Sequence, residues 1–189
     1  LFIDGNRLER PQVRQRLQKI FYDSISDPIA HKSAKDSAIT NLDALARSNK
    51  ISINGSINAA LFLGELREKN GQIVQTATEP LSKLVTDETI APAVRIAALL
   101  GLGSRTKEAR EATQSSTIAV NALAIIPTLG KVIALPAEQL PAVARDWMQA
   151  RTLSYASDLL PLLGDDSKKL IEISNGAVIV AKDPTRSID

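Results

Sequence analysis

The chain has 189 residues, of which 44% are hydrophobic and 23% charged, a balance typical of a soluble globular protein rather than a disordered or membrane-embedded one. This length predicts one domain with its own core. With a formal net charge of only +2, the chain has no strong electrostatic attraction to nucleic acid or anionic lipid. It contains no cysteine, which excludes disulfides, thiolate nucleophiles and zinc–thiolate sites.

Apolar residues at helical spacing, bounded by proline, glycine or capping residues, predict a chain built from helices. They cover approximately residues 11–24, 28–47, 56–69, 72–86, 91–103, 106–126, 137–151, 154–163 and 167–175. Asp27 followed by Pro28 is a helix start signal, and Gly71 is suited to a left-handed stop. Pro80 either kinks the fourth helix or places its true start after Thr78.

The most apolar segment, residues 117–135, nearly reaches the ~20 residues that a transmembrane helix needs. Asn121, Pro127, Gly130 and Lys131 interrupt it. We therefore predict a buried helix, stopped by Pro127 and followed by a loop, with no membrane span.

One apolar pattern recurs along the chain at a fixed distance. The set Leu42, Leu45 and Ala46 returns as Leu81, Leu84 and Val85, a shift of 39 residues (81 minus 42), and again as Leu159, Leu162 and Leu163, a further 78 (159 minus 81). The set Ile57, Leu63 and Gly64 returns at the same shift of 39 as Ile96, Leu102 and Gly103. Two helix faces with one period predict stacked helix pairs, because a single pair cannot bury its apolar face alone.

The segment 78–103, TEPLSKLVTDETIAPAVRIAALLGLG, resembles one HEAT repeat. It has an apolar helix, Asp87 in the turn, Val94 followed by Arg95, a small residue, and Leu-Gly at the end. The resemblance implies an all-α fold, an α-α superhelix of about four HEAT-like helix pairs. It also implies that Asp87 and Arg95 are structural positions that link neighbouring repeats.

We expect the whole chain, 1–189, to form this single α-solenoid domain. Residues 1–25 would cap its N-terminal end with a helix, residues 26–175 would form the repeats, and residues 176–189 would be a tail. Asp165 is the expected turn residue of the last repeat. The register of the repeat between residues 106 and 151 is left open, because the pattern departs there from its period.

Residues suited to catalysis are isolated from one another in the sequence. His31 is the one histidine, and neither a second metal ligand nor a nucleophile is placed beside it by a motif. Neighbouring carboxylates such as Glu65 and Glu68 lie among basic residues on solvated helix faces. We interpret them as groups that stabilise helix ends and pair with nearby bases, rather than as catalytic acids. The sequence therefore predicts a protein that is not an enzyme and has no metal or cofactor.

The leading functional hypothesis is an interaction scaffold that binds a protein or peptide partner on its helical-repeat surface. The predicted contact residues project from second helices of the repeats and from the seventh helix. They are Asn58, Phe62, Glu65, Arg145 and Gln149. Aromatic and arginine side chains such as these dominate interface energetics.

Two alternatives come from other functional classes. A basic cluster at Arg7, Arg10, Arg14 and Lys19 predicts a phosphate-binding stripe on the first helix, although the low net charge and scarce aromatics make nucleic acid the less favoured partner. The second alternative is an accessory or lyase-type enzyme, since some HEAT-like proteins attach or handle tetrapyrrole chromophores. No residue of this chain matches a motif for that activity.

Overall fold

The structure is a computed structural model that describes residues 10–19, 24–111, 117–136 and 138–163, together with residues 171, 175, 177, 178 and 182. Its α-helices are α1 (Arg10–Gln18), α2 (Pro28–Ala46), α3 (Ile53–Glu65), α4 (Thr78–Thr86), α5 (Pro92–Arg110), α6 (Thr117–Leu123), α7 (Ile126–Ile133) and α8 (Ala142–Leu163). A short 3-10 helix over Gln75–Ala77 leads into α4. No strand is present in the described ranges, so the all-α class is confirmed.

Capping residues and prolines set the helix starts. The Asp27 carboxylate accepts a hydrogen bond from the Ile29 amide at 2.8 Å, and Pro28 occupies the first turn of α2. The Ser52 hydroxyl accepts from the Gly55 amide at 3.2 Å. That cap starts α3 three residues before the predicted start, at Ile53.

The segment that follows α3 is a tight turn rather than further helix. The Val74 amide donates to the Leu66 carbonyl at 3.0 Å, and the Glu68 amide donates to the Gln72 carbonyl at 2.7 Å. Gly71 lies at its tip with φ of +83°, a conformation that glycine adopts without strain. The left-handed glycine was predicted correctly, but it closes this turn, and α3 has already ended at Glu65.

The helices contact one another as two rows. In one row α5 lies between α3 and α8, and in the other α4 contacts both α2 and α7. The rows contact each other through α2 with α3, α4 with α5, and α7 with α8. One hydrophobic core runs between them, and α5, which also contacts α6, is its central element.

The second half of the chain departs from the predicted helices. The helix predicted over 91–103 continues through Arg110, and α6, predicted as part of a helix over 106–126, covers Thr117–Leu123. Pro127, which was predicted to stop a helix, instead occupies the first turn of α7, where its missing amide costs nothing. The helices predicted over 137–151 and 154–163 are one helix, α8, which contains Pro161 in its last turn.

The apolar set of α4 has a counterpart in α7. The set Leu81, Leu84 and Val85 of α4 returns in α7 as Leu129, Val132 and Ile133, all buried, at a shift of 48 residues (129 minus 81). The α6 segment accounts for the longer spacing. The copy predicted at Leu159 is wrong, because it lies in α8, beside α5, and so in the row opposite α4.

Among the described residues, no helix is long and apolar enough to cross a membrane. Residues 117–135 form α6 and α7, whose buried side chains join the core. Asp165 and nearly all of the helix predicted over 167–175 lie outside the described residues, as does most of the tail predicted over 176–189.

Candidate protein-binding surface

Of the predicted contact residues on α3, Asn58 and Glu65 are bound by Arg14 of α1. Asn58 and Phe62 are 5% and 8% exposed. The Asn58 Oδ1 accepts from Arg14 Nη1 at 3.2 Å, and the Glu65 carboxylate receives two bonds from the Arg14 guanidinium, at 2.7 and 2.8 Å. The prediction that Asn58 and Phe62 project into an open groove is therefore wrong, and exposed Glu65 is already paired.

The predicted contact residues on α8 are buried as well. Arg145 is 4% exposed, and its Nε donates to Asp146 Oδ1 at 2.9 Å. Gln149 is 1% exposed and donates from Nε2 to the Ile133 carbonyl at 2.8 Å and to the Leu135 carbonyl at 3.3 Å. Gln149 thus fastens the end of α7 to α8, because its amide satisfies carbonyls that the helix leaves free. These two residues are corrected from surface to interior.

The basic cluster is divided by the fold. Arg7 lies outside the described residues, and the side chain of Arg10 is not described. Lys19 is exposed, but Arg14 is buried and bound to Glu65 in a bidentate ion pair. Arg14 therefore attaches α1 to α3 and does not belong to an open stripe of positive charge.

Asp87 connects the turn between α4 and α5 to the end of α2. Its carboxylate accepts from the Thr89 amide at 3.0 Å and the Thr89 hydroxyl at 2.6 Å, and it pairs with Arg47 Nη1 at 2.9 Å. Hydrogen bonds from Thr89, with a smaller contribution from the Arg47 charge, lower the pKa of Asp87 below its ordinary value of 3.8. The resemblance implied such a linking role for this residue.

Arg95 is 1% exposed at the start of α5. Its Nε donates to the Val85 carbonyl at 2.9 Å, which joins α5 to the end of α4, while its Nη2 is buried without a hydrogen-bond partner. Burial lowers the pKa of the Arg95 guanidinium below its ordinary 12.5, and the Glu88 and Asp87 carboxylates oppose that shift. An unpaired buried donor of this kind is uncommon and calls for an explanation.

Arg105 is a structural residue that the sequence analysis missed. Its guanidinium donates to the Thr78 hydroxyl at 2.9 Å, to the Gly101 carbonyl at 2.7 Å and to the Val74 carbonyl at 3.0 Å. Burial lowers its pKa to about 10. Helical spacing offered a signal, since residue 105 lies on the same face as buried Ala98 and Leu102.

One stripe of α5 is open to solvent. It consists of residues at helical spacing that are exposed or half-buried: Ala93, Ile96, Leu100, Ser104 and Lys107. Leu100 is 38% exposed at the middle of the helix, although it is apolar. The stripe is apolar toward the N-terminal end of α5 and polar toward the C-terminal end. Because α5 lies between α3 and α8, the stripe is at the centre of that row of helices.

The neighbouring helix α8 adds aromatic surface. Trp147 is half-buried against the core, and the Arg151 guanidinium lies 5.5 Å from the centre of its ring. Tyr155 is half-buried and packs against Gly103 of α5, where a methyl group would collide with the tyrosine ring. Burial, reinforced by the Asp158 charge and opposed by that of Arg151, raises the pKa of Tyr155 above 10.0.

Within the described parts of the chain, no group of three or more His, Asp or Glu side chains could hold a metal ion. Comparison of the chain with protein-family models, curated proteins and solved structures finds no significant match. A functional conclusion therefore depends on the contacts and surfaces described above.

Proposed function

We propose that the chain is an α-solenoid of HEAT-like helix pairs that binds a protein or peptide partner on the open face of the row formed by α3, α5 and α8. The two-row contact pattern supports this architecture, because stacked pairs place first helices beside first helices and second helices beside second helices. Three such pairs, α2 with α3, α4 with α5 and α7 with α8, occur in the described ranges.

The observation that carries the proposal is the open apolar stripe of α5. Leu100 and Ile96 remain partly accessible at the centre of the row, whereas the other large apolar residues of this helix, Val94, Leu99 and Leu102, are fully covered. An apolar stripe with Ser104 and Lys107 at one end matches the usual anatomy of an interface, which has an apolar centre and a polar rim.

The residue types on α8 agree with a protein partner. Tryptophan and arginine, the residue types of Trp147 and Arg151, are enriched among residues that dominate binding energy. Their stacking holds the tryptophan ring in one orientation, so less side-chain entropy is lost when a partner covers it. The interface proposed here therefore consists of the α5 stripe and the Trp147–Arg151 pair, in place of the buried residues predicted from the sequence.

The two alternatives stay hypotheses with less support. Nucleic-acid binding by the first helix would have to proceed without Arg14, whose charge is neutralised by Glu65. An accessory or lyase-type activity has no residue assigned to it. Neither alternative draws on a specific contact of the described residues.

The test is capture of partners from a lysate of the source cells by the immobilised chain and by its Leu100→Glu variant. A carboxylate at the centre of an apolar interface is expected to reduce capture of a specific partner about tenfold or more. Nuclease treatment of the lysate separates a protein partner from one carried by nucleic acid.

Leu45→Glu is the matched control, because Leu45 is 36% exposed on α2, close to the 38% of Leu100. Both variants change a partly exposed leucine, and each is expected to shift the melting temperature by only about 2 °C. Capture that survives Leu100→Glu, or that both variants reduce equally, would contradict the proposed surface.

A further inference from the structure

The proposed partner-binding surface carries positive charge that the chain does not neutralise. Lys107, at the C-terminal end of the α5 stripe, is exposed, and so is Arg151 of α8. Neither residue forms an ion pair with any residue in the described ranges. The Arg151 guanidinium instead lies 5.5 Å from the centre of the Trp147 ring, a contact that leaves its charge without a carboxylate.

The carboxylates of α5 and α8 are mostly occupied. Three are already bound within the chain: Asp146 by Arg145, Asp158 by Arg110, and Glu108 by the Ile73 amide. The one that forms no ion pair with another described residue is Glu111, which is exposed at the C-cap of α5, four positions after Lys107. A lysine followed by a glutamate at this spacing is the weaker of the two orders. Two unpaired cations thus accompany one unpaired carboxylate on this surface.

The apolar and charged residues of the stripe lie in one line. Ile96 and Leu100 are one turn apart, and Lys107 follows two turns later, about 10 Å along the helix axis. Ser104 is the one uncharged polar side chain of the stripe, so the surface offers few hydrogen-bond partners to the backbone of an extended peptide. A helical segment bonds its own backbone and presents one apolar face to such a stripe.

Arg151 lies beside the middle of this line. Tyr155 packs against Gly103, and Asp158 bonds Arg110 further along both helices, so α8 runs in the same direction as α5. Arg151 is one turn before Tyr155 and is therefore level with the part of α5 one turn before Gly103. That part is the centre of the stripe, so a partner covering it also passes the Arg151 side chain.

We infer that the occupant of this surface is an acidic amphipathic helix of another protein, an inference that rests on the proposed function. Its apolar residues, one turn apart, cover Ile96 and Leu100, and its carboxylates meet Lys107 and Arg151. The partner helix runs antiparallel to α5, because its first turn, where acidic residues are favoured, then lies at the Lys107 end. Single-stranded nucleic acid fits less well, since the centre of the stripe is aliphatic and offers no ring on which a base could stack.

The test uses three peptides of ~16 residues, about four turns, each held helical by a hydrocarbon link and each with two leucines one turn apart. They differ only at two positions, one in the first turn and one at the edge of the apolar face, which are both glutamate, both glutamine or both lysine. Anisotropy of a dye on the peptide gives the affinity for the complete chain. Fluorescence of Trp147, the one tryptophan of the sequence, locates the binding.

We expect the glutamate peptide to bind about threefold to tenfold more tightly than the glutamine peptide at low salt, with a smaller difference at high salt. Lys107→Glu should reverse the order, so that the lysine peptide binds more tightly than the glutamate peptide. The matched control is Lys131→Glu, because Lys131 is also an exposed lysine in the last turn of its helix but lies on α7, in the opposite row. That change should leave the preference as it was.

Leu100→Asn removes the apolar contact without adding charge, so it should weaken all three peptides several-fold. Equal affinity for the three peptides, with each weakened by Leu100→Asn, would leave the apolar surface in place and overturn the acidic partner. Tighter binding of an oligothymidine than of the glutamate peptide would overturn it as well. So would the lack of saturable binding at millimolar peptide, whereas lysate capture with Leu100→Glu tests the proposed function separately.

Discussion

Gly64 of α3 and Gly101 of α5 bring two helices together with backbone against backbone. A Cβ atom on Gly64 would lie 2.5 Å from the Gly101 Cα, and one on Gly101 would lie 2.8 Å from the Gly64 Cα. Real Cβ atoms do not approach a backbone atom this closely. The close crossing of α3 and α5 therefore depends on two positions that carry no side chain.

Gly64→Ala is accordingly expected to destabilise the fold by about 1–3 kcal/mol, because the added methyl forces the helices apart. Urea unfolding of the purified chain measures the loss. The control is Gly130→Ala in α7, where a Cβ would meet nothing within 4 Å. That change should stabilise by about 0.5–1 kcal/mol through helix propensity, and a loss of the same size in both variants would contradict the close crossing.

Arg105→Met should cost about 3 kcal/mol, since it leaves the Val74 carbonyl and the Thr78 hydroxyl without their donor in the interior. Arg105→Lys should recover only part of this, because an ammonium cannot reach several acceptors with a fixed fork. Chemical denaturation compares these variants with Lys107→Met, an exposed change on the same helix. If Arg105→Met were as mild as the control, the bonds of Arg105 would not contribute to stability.

The acid sensitivity of the fold should depend on Asp87. Its pKa is below 3.8 in the folded chain, so the stabilisation is fully present above pH 3.8 and is lost as pH falls through the folded value. Asp87→Asn should remove that part of the pH dependence. Thr89→Val should reduce it, since the Thr89 hydroxyl is one of the donors responsible. The free energy of unfolding is measured from neutral to acidic pH for each variant and for the unchanged chain. If its dependence on pH were the same in Asp87→Asn as in the unchanged chain, the Asp87 carboxylate would not contribute to acid sensitivity.

Tyr155 should ionise later than a free tyrosine. Burial raises its pKa above 10.0, so between pH 10.0 and the folded value the unfolded chain has lost this proton and the folded chain has not. Stability from this group therefore falls as pH rises through that window. Phenolate absorbance, compared with a Tyr155→Phe variant, reports the titration. A Tyr155 contribution that titrates at 10.0 or below would show that the ring is not buried against α5.

Local signals in the sequence were sufficient for most helices of the first half. Pro28 begins α2 as predicted, and α5 begins at Pro92, one residue from the predicted start at residue 91. The helix α4 begins at Thr78, which agrees with the prediction that Pro80 places its start near Thr78 rather than kinking a longer helix. Beyond Arg110 the same signals misled. Pro127 is compatible with either the end or the start of a helix, and only packing of α7 against α4 and α8 decides between them.

The contact surface could not be predicted because a helix that packs against several neighbours is buried on more than one side. Asn58 and Gln149 lie away from the predicted core faces of their helices, yet Arg14 of α1 contacts Asn58 and the end of α7 contacts Gln149. Periodicity identifies which residues share a face, but it does not say how many faces are buried. The open stripe with Leu100 was concealed by the same ambiguity, since α5 is apolar on nearly every side.

The bonds of Arg105 also bear on the order in which the chain folds. The guanidinium donates to Thr78 and Val74, 27 and 31 positions away, and also to the Gly64 carbonyl, 41 positions away, at 3.5 Å. Such distant partners cannot be brought together until the intervening loop has closed, and that closure carries an entropic cost. We therefore expect α3 to pack against α4 and α5 in one late cooperative step, although each helix on its own consists of local contacts.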